Sequence, residues 1–462
     1  MRHLFLVLFS SLCIAGYGQA LEKVGPTPTS QQLAWHEQEF YLFLHFGPNT
    51  FTDKEWGDGD EPADSFQPSA LDCRQWARIA KAAGAKGLII TAKHHDGFCL
   101  WPSQYSQHTV RESKWKNGQG DVLQELSTAC REEGLKFGVY ISPWDRNHPA
   151  YGTPEYNEVY INTMKEIFSK YGPIWELWWD GANGEGPNGK KQEYDFARFE
   201  STIRGISPNT VIFSDIGPDI RWVGNEQGFA GKTNWNLLDT AGFKRGHGAP
   251  VTDTLNQGNK FGKHWIPAEV DVSIRPGWFY HPEEDDKVKN PEKLFTIYLQ
   301  SVGRGANLLL NVPPDRRGLI HPNDSAALMG FRQLREKTFA NDILATDLTK
   351  YSWPTNGKTY SKTARKKGIY HVPAGGGNGL TVTLDKPATI QFIQLREWIE
   401  WGQKVGAFRL TLHLDNGQTH TIEGTTIGRK TIIPVLGLVV RSFTLDILDA
   451  KGNVVLKQPM AF

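Results

Sequence analysis

Short apolar runs and amphipathic stretches take turns along residues 36–340. Phe40-Tyr41-Leu42-Phe43-Leu44-His45-Phe46 reads as a strand. Gly87-Leu88-Ile89-Ile90-Thr91-Ala92-Lys93 reads as another, preceded by a helix-like run from Leu71 to Ala83. In Asp121–Glu133 the apolar Val122, Leu123, Leu126 and Ala129 fall at helical spacing, Gly134 stops the run, and the strand Phe137–Ile141 follows. The rhythm continues through helix Tyr156–Tyr171 with strand Ile174–Trp179, and helix Phe196–Ile206 with strand Thr210–Phe213. It closes with helix Leu294–Val302, strand Ala306–Asn311 and helix Ser325–Thr338. Repeated strand–helix units predict a parallel sheet with helices outside. Their number and a span of ~300 residues favour an α/β fold of the (β/α)8-like barrel type over an open sheet. Residues 214–290 show poor periodicity and many Gly, Trp and charged positions, so long loops and an irregular barrel are expected there.

The pattern changes after Asn341. Thr381–Leu384, Ile390–Ile393, Phe408–Leu414 and Val439–Leu448 alternate with period two, with Asn378-Gly379 and Asn416-Gly417 as turns. This predicts a β-sandwich over 343–462, following a catalytic domain over 21–342. Residues 1–20 read as a secretory signal peptide: basic Arg2 and His3, the apolar run Leu4–Ala15, and Gly18-Gln19-Ala20 as a cleavage site. Export to a periplasmic or extracellular location is expected. No later run offers ~18 uninterrupted apolar residues, so membrane insertion is not expected.

Composition narrows the function classes. With 51 Lys+Arg against 50 Asp+Glu, a net charge of +1 argues against nucleic acid as the main partner. Of four cysteines, Cys13 lies in the leader; Cys73, Cys99 and Cys130 form neither a disulfide framework nor a CxxC zinc pair. Sixteen tryptophans suit a core or a flat sugar-binding face equally well.

In a parallel barrel the chemistry sits where strands end. The first strand ends at His45, the second at His94-His95-Asp96, the third at Tyr140, the fourth at Trp178-Trp179-Asp180-Gly181 and the fifth at Asp215. Adjacent His94 and His95 would point to opposite faces unless the strand has already broken there. They lack the spaced ligands of a metal motif, and neutral imidazoles suit hydroxyl-rich ligands. Asp180 follows a tryptophan-rich strand, where a carboxylate is costly unless paired or used. Glycoside hydrolysis needs a second carboxyl. Glu226, in Arg221-Trp222-Val223-Gly224-Asn225-Glu226, and Glu269, in Ala268-Glu269-Val270-Asp271, are the candidates, and the residues alone leave them near even.

Leu44-His45-Phe46-Gly47, Glu55-Trp56, Lys93-His94-His95-Asp96-Gly97-Phe98, Gly138–Ser142 and Trp178-Trp179-Asp180-Gly181 together resemble glycoside hydrolase family 29, the α-L-fucosidases. The resemblance implies a retaining exo-hydrolase that needs no cofactor or metal and acts on fucosylated oligosaccharides or glycoconjugates. It implies Asp180 as nucleophile and His45, Glu55, Trp56, His94, His95, Tyr140, Trp178 and Trp278 as the sugar pocket. The Trp222–Glu226 stretch is similar to the acid/base region of the α-1,3/4-fucosidase subfamily, which favours Glu226 over Glu269. A role near the sugar for Arg221 or Arg275 is a further expectation. The alternatives are a non-catalytic glycan-binding protein and a metal-dependent hydrolase built on His94 and His95.

Overall fold

A computed structural model describes residues 22–247, 251–355, 357–363, 370–372 and 379–462. The signal peptide, Cys13 and Asn378 of the proposed Asn378-Gly379 turn lie outside the described residues. Eight parallel strands close a barrel in simple chain order: β1 (Phe40–Leu44), β2 (Gly87–Lys93), β3 (Lys136–Ile141), β4 (Glu176–Trp178), β5 (Val211–Ser214), β6 (Ile220–Trp222), β7 (Ala268–Ser273) and β8 (Asn307–Asn311). Parallel neighbours need a crossover between them, and helices Cys73–Ala82, Val122–Glu133, Glu155–Tyr171, Phe196–Ile206 and Pro291–Gln300 supply five. Asp72, Asp121, Asp195 and Asn290 cap four of these helices, each accepting a backbone N–H of the first turn.

Strand alternation sorts the side chains. Leu42, Leu88, Ile90, Val139, Leu177, Ile212, Val270 and Leu310 face the helices in the main core. Tyr41, Phe43, Ile89, Tyr140, Trp178, Phe213, Ile220 and Leu309 fill the barrel interior. Helix Ser30–His36, begun by a capping box on Thr29, brings Trp35 into that interior cluster, where its Nε1 donates to the Tyr41 hydroxyl at 2.9 Å.

The expectation of long loops rather than regular helices through 214–290 is corrected at two places, because β6 and β7 both fall there. β5 and β6 are joined by only five residues, 215–219, instead of a helix. Asp219 pins that return by accepting the Ile212 N–H on its carboxylate and donating its own N–H to the Ile212 carbonyl. β7 does alternate, but its inward residues are Glu269, Asp271 and Ser273, so the buried face is polar and leaves no apolar signature.

The C-terminal region is antiparallel: β9 (Lys350–Thr355), β10 (Lys358–Thr363), β11 (Tyr370–Val372), β12 (Leu380–Leu395), β13 (Val405–Leu414), β14 (Thr419–Gly424), β15 (Thr431–Ala450), β16 (Val454–Leu456) and β17 (Met460–Ala461). One sheet runs β10-β9-β12-β15-β13-β14, with β17 added to β12; β11 and β16 pair separately. Tyr370, Val372, Val454 and Leu456 from that pair share one core with Val382, Ile393, Leu410 and Phe443. The region also packs on the barrel: Ile432 enters the barrel core and Phe392 lies against it. No helix among the described residues is long and apolar enough to cross a membrane.

Candidate active site

At the C-terminal mouth of the barrel lies a cavity of about 220 Å³, the scale of one sugar ring. His45, Glu55, Trp56, His94, His95, Tyr140, Trp178, Asp180, Glu226 and Trp278 all line it, joined by Phe43, Ala182 and Asp271. Strand parity places the floor: Phe43, Tyr140 and Trp178 point inward, and their rings lie 5.4–5.8 Å apart.

The two adjacent histidines reach the same cavity because β2 has broken. Between Thr91 and Lys93 its register against β3 slips, so Lys93 turns to Asp145 and Tyr156, at 2.8 Å from each. The chain beyond has left the pleat and turns at Gly97, whose φ of +80° a side chain would disfavour.

Hydrogen bonds orient the rings. His45 Nδ1 lies 2.9 Å from Asn311 Oδ1, and the Asn311 amide nitrogen is committed to Trp278 O and Ser273 Oγ. His45 therefore donates from Nδ1 and keeps Nε2 as an acceptor. Ser142 spends its proton on Trp144 O, so it accepts from His95 Nδ1 at 2.8 Å, and His95 Nε2 is likewise an acceptor, 3.9 Å from Asp180 Oδ2. Burial pulls His45 down to about 3 and His95 to about 4, and holds His94 well below its usual range. Three neutral imidazoles thus line the cavity, two with a nitrogen left as an acceptor.

Asp180 follows β4 and accepts from the Tyr140 hydroxyl at 3.0 Å and the Ala182 N–H at 2.7 Å. Glu226 stands at the rim on the chain after β6, and its Oε2 accepts from Trp278 Nε1 at 3.2 Å. Crowding by protein around the carboxyl raises its pKa, helped by the charges of Asp180 and Glu55 and opposed by the Trp278 bond. Glu55 accepts from the backbone N–H groups of Trp278 and Phe279, at 2.8 and 3.1 Å. Trp56 is 56% exposed, with its ring 5.6 Å from that of His95, so it stands as a free wall at the entrance.

Glu269 lies elsewhere. It points into the barrel interior from β7, accepts from Tyr41 and from Trp178 Nε1 at 2.8 Å, is fully buried and does not line the cavity. Arg221 and Arg275 also miss it, correcting that expectation. The Arg221 guanidinium is spent on backbone carbonyls of Leu255, Ile266 and Trp235, and Arg275 on Asp324 and Asp285.

Sequence reasoning missed Asp271, which projects from β7 two positions beyond Glu269 and so on the same face. Burial, with the charges of Glu226 and Glu269, pushes its carboxyl well above the usual range. Asp215, directly after β5, shares with Asp180, Glu226 and Asp271 an adjoining recess of about 180 Å³ and is pushed up to about 7 by burial and the Asp180 charge. The inverted polarity of β7 was the signal that could have revealed Asp271.

The alpha-L-fucosidase family model matches residues 21–333. The chain is 42% identical over 438 residues to alpha-L-fucosidase 1 of Arabidopsis thaliana, covering 93% of this chain and 85% of that protein. It is similar to the crystal structure of a glycoside hydrolase 29 family member from an unknown rumen bacterium: TM-score 0.84, 39% identity, 96% of this chain and 78% of that one. A Ruminococcus gnavus GH29 fucosidase in complex with fucose matches with TM-score 0.84 at 28% identity, over 97% of each chain.

Proposed function

This chain belongs to the α-L-fucosidases of glycoside hydrolase family 29, and from that premise we propose that it is a retaining exo-enzyme whose nucleophile is Asp180 and whose acid/base is Glu226. The observation that carries the reading is the meeting of these two carboxyls at one sugar-sized cavity walled by neutral histidines and tryptophans.

Asp180 attacks the anomeric carbon of a terminal α-L-fucoside as Glu226 gives its proton to the departing glycosidic oxygen. The bond to the leaving sugar breaks and a fucosyl ester on Asp180 forms. Glu226, now ionised, takes a proton from water, which opens the ester and releases fucose with its configuration kept. The Tyr140 hydroxyl and Ala182 N–H hold Asp180 for attack. His45 and His95 accept sugar hydroxyls on their bare nitrogens, and Trp178 and Trp278 cover apolar faces of the ring. Glu226 is preferred to Glu269 because a raised pKa at the cavity rim suits a general acid, whereas both Glu269 oxygens are engaged inside the barrel.

Azide separates the roles. Asp180→Gly loses turnover of an aryl α-L-fucoside by ~10³-fold or more, and azide restores it as the β-L-fucosyl azide. Glu226→Ala in azide yields the α-L-fucosyl azide, because azide then opens the ester. Wild-type turnover by Asp180→Gly, or rescue at Glu269→Ala instead of Glu226→Ala, would reverse the assignment.

The Trp222–Glu226 stretch supports α-1,3/4-linked fucose on branched glycans as the substrate. Faster release from Lewis-type trisaccharides than from α-1,2-linked blood-group structures is the expected result. The basic-apolar-small pattern of residues 1–20 supports export, checked by N-terminal sequencing of protein from the cell envelope and medium.

A further inference from the structure

His281 lies outside the cavity lining, yet it sits between two carboxylates. Its Nδ1 is 2.9 Å from Asp53 Oδ1 and its Nε2 is 2.7 Å from Glu55 Oε1. A carboxylate oxygen can only accept, and a neutral imidazole has one N–H to give. With a single proton, one of these short contacts would set lone pair against lone pair. We propose that His281 is a positioning residue, held as an imidazolium between Asp53 and Glu55, that fixes the Glu55 carboxylate and the turn 277–279 in the geometry that receives the sugar.

The surroundings agree. Glu55 Oε1 takes the His281 and Phe279 protons, Oε2 takes the Trp278 N–H, and Oε2 keeps capacity for one substrate hydroxyl. The same turn is held by Asn311, which donates to Trp278 O, and by Ser273, which donates to Gly277 O. A Cβ on Gly277 would fall 2.7 Å from Glu55 Oε1 and 2.9 Å from His281, so the backbone passes where only glycine fits. Trp278 in turn donates to Glu226. One line of contacts therefore runs from His281 through Glu55 and Trp278 to the proposed acid/base.

The charges facing His281 are Asp53 and Glu55 in contact and Glu284 further off; Arg316, 3.4 Å from Asp53, lies on the far side of that carboxylate. Partial burial works against the cation, and the carboxylates outweigh it, so the imidazole pKa is raised. As pH climbs through that raised value the proton is lost and Glu55 is released.

The inference rests on the pocket reading above, and the test separates the two. The substrate is α-L-fucosyl fluoride, because fluoride leaves without a general acid and ionisation of Glu226 does not limit its departure. Wild-type kcat/KM is expected to fall on the alkaline side with one ionisation. Asp53→Asn, at a half-exposed position that should not disturb folding, removes one carboxylate and moves that limb down by about 0.5–1 pH unit. His281→Gln, which cannot titrate, abolishes the limb and raises KM at least ~10-fold, with a smaller change in kcat. A limb at the same pH in all three proteins, or a wild-type KM in His281→Gln, overturns the role of His281. Turnover of the same fluoride by Asp180→Asn at the wild-type rate overturns the pocket reading itself.

Discussion

Side chains at this cavity have properties set by neighbours the sequence does not place beside them. Asp271 shows this best. It is an ordinary aspartate on paper, but burial and the charges of Glu226 and Glu269 disfavour its charged form. If the raised pKa keeps Asp271 protonated, Asp271→Asn replaces one neutral group by another. The alkaline limb on a poor-leaving-group substrate, expected from Glu226 as the proposed acid, should then stay within about 0.3 pH units of wild type. Were Asp271 charged, its removal would drop that limb, and a pH–rate profile on a fucosylated trisaccharide tells the two apart. Asp180, His45 and Trp178 were legible because short fixed motifs carry them. The disfavoured charge of Asp271 and the His281 contacts were not, since each needs groups distant along the chain to meet: Glu226 for Asp271, and Asp53 and Glu55, more than two hundred positions away, for His281.

At the scale of elements, β7 serves two ends of the barrel at once. Asp271 opens to the cavity while Glu269, one pleat below, ties Tyr41 of β1 to Trp178 of β4. Beside it Glu176 of β4 is held well above the usual carboxyl range by burial and the Glu269 charge. Glu269→Leu would leave the Tyr41 hydroxyl and the Trp178 N–H buried without an acceptor, costing about 2–4 kcal/mol in urea unfolding. Glu226→Leu, at the exposed rim, should cost under ~1 kcal/mol while removing activity on natural substrates. Equal losses of stability would contradict these separate roles. Strands with apolar inner faces were found from their pattern. β7 was missed because buried carboxyls replace that face, and β6 because three residues carry no period.

For the whole molecule, the C-terminal region is bound to the barrel by buried polar contacts as well as by Ile432 and Phe392. Gln403 accepts from Asn236 N and donates to Asn234 O. Glu39, just before β1, holds Arg429 and Lys430. Burial opposes the Glu39 charge, but the two cations outweigh it and lower its pKa from 4.5 to about 2. A depressed folded-state value means stabilisation that is complete above pH ~4.5 and lost as pH falls towards 2, on the order of 2–3 kcal/mol. Glu39→Gln should therefore flatten the loss of thermal stability between pH 4.5 and 2.5, measured as Tm against pH. By itself the amino-acid order determined the repeating strand–helix plan, the change to an antiparallel region after 341, and the motif residues at the strand ends, because periodicity and short motifs are local. The tertiary structure alone decided that the barrel closes through two strands without an apolar period and that Glu226 stands at the cavity while Glu269 lies inside the barrel. It also decided which carboxyls have their charged form disfavoured, because closure, burial and charge coupling depend on distances in space that no spacing along the chain encodes.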